Sequence, residues 1–173
     1  MLNDFYKGAH YTLVIKDDAI HFQEGNMHLN STPLIFAGLL SLIASALHLA
    51  IIIGGPQWYR FFGAGEKMAT LAEQGSWYPT VITSCIALIL FIWGLFAFSG
   101  AGLITRLPLL KTGLVIITGI YLLRGVGGYI LTMLPQFHNS PDYSLEFWLI
   151  SSTICLLFGL THLYGLVKNW YHL

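Results

Sequence analysis

Three titratable side chains fall inside long apolar stretches of the sequence: His48, Arg124 and His162. A charged group at membrane depth is costly and needs a partner or a wet cavity. Arginine cannot escape by losing its proton, so an anion or a carbonyl-rich surface must meet Arg124. Histidine near neutral pH can accept or release a proton, so His48 is a candidate ligand contact or general base. His48 lies fifteen residues beyond Pro33, and Arg124 lies sixteen beyond Pro108. At ~1.5 Å per helical residue the two come out at similar heights. Both are expected in the outer half of the membrane.

No acid falls in the centre of an apolar stretch. The nearest carboxylates are Glu66, in the connector after the first stretch, and Glu146, at the start of the last. The expected site is therefore an outer-half polar pocket built by His48, Arg124 and Glu66, with Glu146 nearby and Trp58 and Tyr59 as its roof. A plainer reading has Arg124 snorkelling to the interface and His48 bonded to a serine on a neighbouring helix. Ser41, Ser45 and His48, spaced four and three apart, share a helix face that suits packing as well as a pocket. Lys111 and His162, near the other membrane face, are expected to reach toward the headgroups.

The elements that hold these groups are four apolar blocks, about 33–53, 78–99, 108–133 and 145–167. Each is long enough for the ~20 residues that a ~30 Å hydrocarbon core demands. Backbone groups in lipid must be satisfied within their own segment, so the blocks are helices. Gly54-Gly55-Pro56, Gly100-Ala101-Gly102 and Pro135 punctuate them, and aromatic residues at 58, 59, 77, 78, 143, 148, 170 and 171 sit near their ends. The chain is 55% hydrophobic and 9% charged, whereas a soluble domain carries ~25% charged residues. The expected fold is an all-α membrane protein, a four-transmembrane-helix bundle with an amphipathic interfacial helix in the first outer loop. That helix, from about residue 60, would carry Phe61, Ala64, Met68 and Leu71 on one face and Glu66, Lys67, Thr70 and Glu73 on the other. It reads as a lid over the bundle or as a membrane-hugging connector.

Residues 1–32 precede the membrane domain at 33–168, and 169–173 form a short tail. Within the first segment, residues 11–23 read as two strands around Asp17-Asp18. Met27 leaves the alternative of a poorly ordered extension. Lys7, Lys16, Arg106, Lys111 and Lys168 fall on one side, against Arg60, Lys67 and nearby Arg124 on the other. The positive-inside bias then places both termini in the cytoplasm. The first apolar run is too long and too late for a cleavable signal peptide.

Several classes are disfavoured. Eight basic and eight acidic residues, with no basic stripe, speak against nucleic-acid binding. Cys85 and Cys155 lack C-x-x-C spacing, which disfavours quinone-coupled disulfide chemistry; each reads as a small buried hydrophobe. His48 and His162 lie near opposite faces, so two-histidine haem ligation is not expected, and the ligand clustering for a metal is missing. No cofactor is expected. Small four-helix multidrug exporters carry an acid in their first span, where this chain has His48.

Over residues 33–168, in span number, spacing and short loops, the chain resembles small four-span bacterial inner-membrane proteins. The most specific stretch is G-G-P-x-W-Y-R-F-F-G-A-G-E at 54–66. The resemblance implies a fold and a location in the bacterial inner membrane, and no particular chemistry. Binding or transport of a small anionic or lipid-like ligand leads the functional expectations. An accessory protein acting by oligomerisation is the alternative, and a membrane enzyme with His48 as general base the third. Membrane lipids and a second copy of the chain, as a homodimer, are the expected partners.

Overall fold

The computed structural model describes residues 11–16, 19–24, 27–134 and 145–173, with side chains described from Ser31 onward within those ranges. Two strands, β1 (Tyr11–Lys16) and β2 (Ala19–Glu24), pair antiparallel in the register Tyr11 to Glu24 through Lys16 to Ala19. The Asp17-Asp18 turn lies outside the described residues, as do Pro135 and Tyr143. Five helices follow among the described residues: α1 (Met27–Phe61), α2 (Glu66–Glu73), α3 (Tyr78–Gly100), α4 (Leu110–Thr132) and α5 (Leu145–Lys168). Of these, α1, α3, α4 and α5 are long and apolar enough to cross a membrane.

Helix ends depart from the sequence expectation where glycine and local backbone geometry intervene. The α1 helix does not stop at Gly54-Gly55-Pro56 but breaks there. Gly55 adopts φ 67 and ψ −151, after which Pro56 restarts the helix as far as Phe61. That backbone region is essentially open to glycine alone. Gly63 and Gly65, at φ 70 and 93, then interrupt the expected loop helix, so α2 begins at Glu66 rather than near residue 60. Its packed side is set by buried Ala69 with Met68 and Ala72, against Tyr59 and Ile51. Phe61 and Ala64 take no part in that helix. Leu109, at φ 52, holds the chain in the left-handed region and delays α4 from Pro108 to Leu110. The loop before it is closed by Ser99, whose Oγ donates to the Thr105 carbonyl at 3.1 Å and accepts from the Leu107 N–H at 2.9 Å.

The membrane-length helices pack chiefly as two pairs, α1 on α3 and α4 on α5, with α1–α5 and α3–α4 seams between them. The start of α1, the end of α3, the start of α4 and the end of α5 meet in one apolar cluster, formed by Leu34, Leu110, Leu114, Leu166 and Leu173 with Phe96 and Ala101. Successive membrane-length helices therefore run in alternating directions. A second cluster, Leu90, Ile117 and Tyr121 with Ala44, Trp93, Cys155 and Phe158, draws all four together further along. Polar links cross the same interior: Ser45 Oγ donates to the Ala87 carbonyl at 2.7 Å, and the Ser41 and Tyr121 hydroxyls lie 3.1 Å apart. Interhelical hydrogen bonds of this kind fix which faces meet where hydrophobicity alone does not choose. Outward faces carry Ile43, Leu88, Leu123 and Val167, all exposed.

Candidate functional site

Arg124 lies on α4, half-buried against the first turns of α5. Its Nη2 donates to Ser151 Oγ at 3.1 Å and its Nη1 to Ser152 Oγ at 3.4 Å. The guanidinium carbon lies 4.5 Å from the Trp148 ring centroid, a cation–π distance. Ser152 is fully buried, and Ser151 also donates to the Trp148 carbonyl at 3.3 Å. The partners follow from helix spacing: residues 148, 151 and 152 are three and four apart, so they share the α5 face that α4 packs on.

The close approach depends on Gly128. A Cβ there would come within 1.8 Å of Ser152 Oγ and 2.8 Å of Arg124 Nη1. One turn away, a Cβ on Gly125 would meet the Leu156 backbone nitrogen at 2.9 Å. These glycines let the two helices come close enough for a guanidinium on one to reach hydroxyls on the other.

All these partners of Arg124 are neutral. Among the described residues the ion pairs are Arg60–Glu66 at 2.6 Å and Arg60–Glu73 at 2.7 Å. The expectation that Glu66 faces Arg124 is therefore corrected. The turn through Gly63 and Gly65 carries Glu66 back onto Arg60, six residues earlier, which grips it through Nε and Nη2. The Arg60 guanidinium holds the Glu66 and Glu73 carboxyls below the usual carboxylate range. Glu146 is exposed in the first turn of α5.

The remaining expected site residues separate. Tyr59 is buried at 2% exposure against Ile51 and Ala69, and its hydroxyl meets no hydrogen-bond partner among the described residues. Trp58 packs on Phe62, with centroids 5.7 Å apart, and is partly exposed. His48 is half-buried with Nδ1 2.7 Å from the Ala44 carbonyl. A carbonyl only accepts, so Nδ1 carries the hydrogen and neutral His48 keeps Nε2 as an acceptor. Ser41 and Ser45 do not bond to it, since each is taken by another helix.

The interior holds a polar group that sequence reasoning misplaced. His162, expected to reach toward headgroups, is fully buried. Its ring lies 5.2 Å from that of Tyr121, and Nδ1 lies 2.9 Å from the Phe158 carbonyl. Nε2 has no partner among the described residues. The signal was the row Ser152, Gly159, His162, Leu166 and Asn169, whose steps of seven, three, four and three mark the packed face of α5. Lys111 lies over the Trp170 ring at 4.2 Å. Cys155 is half-buried beside Tyr121, while Cys85 is exposed on α3, where a buried thiol was expected.

Among the described residues no three His, Cys, Asp or Glu side chains cluster as they would around a metal ion. Chemically, the Arg124 locus offers a fixed cation, two hydroxyls and an aromatic face, a set that recognises an anion. Comparisons with protein-family models, with curated proteins and with solved structures give no match.

Proposed function

We propose that this is a multi-pass membrane protein that binds, and in moving it transports, a small anionic or lipid-like ligand at Arg124. One observation carries the reading: among the described residues, the guanidinium meets two serine hydroxyls and an indole face, and no carboxylate. A permanent charge in an apolar surrounding, matched only by neutral dipoles, favours an anion that completes it. His48 Nε2, on α1, is the proposed second contact.

The reading includes the setting. The four membrane-length helices act as a bundle in the bacterial inner membrane with both termini cytoplasmic. Arg106, Lys111 and Lys168 mark the cytoplasmic end, and the end bearing α2 lies outside. There α2 and the Pro56–Phe61 turn form an amphipathic interfacial lid, fastened by the Arg60 ion pairs. A homodimer is part of the proposal.

Native mass spectrometry of the detergent-purified protein, beside His48→Ala and Arg124→Ala, tests it. The expected result is a discrete bound mass in the wild type that disappears in both variants while helical content is unchanged. Heterogeneous lipid alone in the wild type, with Arg124→Ala indistinguishable from it, would overturn the reading in favour of an accessory protein acting by oligomerisation. The same spectra read the oligomeric state.

A further inference from the structure

At the end of the helices away from α2, a groove of about 370 Å³ opens along the seam between α1 and α5. Its walls are Thr32, Pro33, Phe36 and Leu40 from α1 and Thr161 and Tyr164 from α5. On α1, Pro33, Phe36 and Leu40 step by three and four residues, so with Thr32 beside Pro33 they form one face that descends from the helix start. From Thr32 to Leu40 the descent is ~12 Å at 1.5 Å per residue. The walls are carbon except for hydroxyls, and the Thr161 hydroxyl is already given to the Leu157 carbonyl at 2.7 Å. Such a slot suits a hydrocarbon chain and offers little to a free ion.

A cation lies against one of its walls, the Tyr164 ring. Lys168 is exposed one turn beyond Tyr164 on α5, and its Nζ lies 5.6 Å from that ring. The same end carries Lys111, held over Trp170, and Arg106, which donates to the Leu173 main-chain oxygen. Among the described side chains of this end, 31–34, 99–111 and 166–173, there is no Asp or Glu. Glu66, Glu73 and Glu146 lie at the other end. An apolar groove beside a lysine that meets no carboxylate among the described residues matches one occupant, an amphiphile with an acyl tail and an anionic head.

We propose that the α1–α5 groove is a binding site for an anionic phospholipid, with one acyl chain against Phe36 and Leu40 and the phosphate at Lys168. The site shares no residue with the Arg124 locus and does not depend on the function proposed for it. Its logic is that of membrane electrostatics: a lysine at headgroup level favours anionic lipid, while the stem and the tyrosine stay in hydrocarbon.

The test is a native mass-spectrometric titration of the full chain in detergent with dioleoylphosphatidylglycerol and, separately, dioleoylphosphatidylcholine. The wild type is expected to retain phosphatidylglycerol preferentially. Lys168→Gln should lower its affinity about fivefold, the worth of one headgroup-level lysine, and remove the preference. Leu40→Trp, which fills the slot, should weaken both lipids. If that variant loses its helical content, Phe36→Ala replaces it, because Phe36 is 58% exposed and its truncation opens no core. Lys168→Gln should cause the same fold loss in an Arg124→Ala background as in the wild type, which separates this site from the other. Equal retention of both lipids by the wild type would overturn the proposal. So would a loss with Lys111→Gln as large as with Lys168→Gln, since a diffuse field would then explain the binding. A groove variant that binds as the wild type does would overturn the placement of the chain.

Discussion

The Tyr121 hydroxyl lies 3.1 Å from the Ser41 hydroxyl, joining α4 to α1 across the helix interior. Around it, the Tyr121 ring meets Trp93 at 4.8 Å, Phe158 at 5.5 Å and His162 at 5.2 Å. This bond sets which residues follow it outward: Arg124 comes one turn later on α4, and His48 two turns later on α1. A double-mutant cycle with Ser41→Ala and Tyr121→Phe measures its worth. The expected coupling is about 0.6 kcal/mol, typical of interhelical bonds in membranes. A coupling of zero in reversible unfolding would mean that ring packing alone holds this junction.

Gly128 and Gly127 should behave oppositely when each is replaced by alanine. A Cβ at 128 lands 1.8 Å from Ser152 Oγ, so α4 and α5 must separate and the Arg124–Ser152 bond must break. Overpacking of that kind costs about 1–3 kcal/mol. A Cβ at 127 meets nothing within 4 Å. Gly127→Ala should therefore hold or raise stability, by up to about 1 kcal/mol, as the unfolded chain becomes less free. Denaturant titration followed by circular dichroism compares the two; equal losses would show that this helix contact is loose.

What was legible in the sequence and what was not divide along the same line. Burial in lipid demands long apolar blocks whatever they pack against, so α3 runs Tyr78–Gly100 where the composition placed 78–99. Arg124 was legible as a misfit, because a cation stands out against hydrocarbon on composition alone. Its partners were not: Ser151 and Ser152 resemble any small helix residues until the rotation of α5 is known. The pairing of Glu66 with Arg60 depends on two left-handed glycines, whose effect on chain direction no hydropathy pattern carries. His162 was judged by its distance from a helix end, when the deciding quantity was its face.

The Arg60 contacts make α2 sensitive to acid. Hydrogen bonds from Arg60 hold the Glu66 and Glu73 carboxyls below their ordinary values. For a carboxyl with a depressed folded pKa, the stabilisation is present above the unfolded value, ~4.3 for glutamate, and lost as pH falls through the folded one. Protection of α2 amides in hydrogen exchange should hold from neutral pH to about 5 and fall below ~4.3. The pairs are exposed, so added salt should weaken the same protection. In the Glu66→Gln, Glu73→Gln double variant the acid step should vanish; its persistence would assign the step to other groups.

Gly55→Ala probes the hinge between the membrane-length part of α1 and its last turn. The site is roomy, with nothing within 4 Å of an added Cβ, so any cost arises from the backbone at φ 67 and ψ −151. Strain in that region is worth about 1–3 kcal/mol. The chain can relieve it by straightening α1, which would pull Arg60 from its carboxylates. The expected result is lost α2 protection with the membrane-length helices intact. Unchanged α2 exchange would show that the break tolerates a side chain.

His162 allows the sharpest distinction between a structural and a chemical role. Nδ1 donates to the Phe158 carbonyl, so neutral His162 presents Nε2 as an acceptor in a fully buried position, without a partner among the described residues. If the polypeptide is all that surrounds it, that lone pair is a liability, and His162→Phe keeps the ring while removing it. The Phe158 carbonyl remains an acceptor for the α5 backbone, so the exchange strands no new group. Stability should stay level or rise by up to about 1 kcal/mol, whereas His162→Ala should cost about 2–4 kcal/mol for the cavity it leaves. If instead the phenylalanine variant is as unstable as the alanine variant, Nε2 meets a donor that the polypeptide does not supply. A buried water is the simplest such donor.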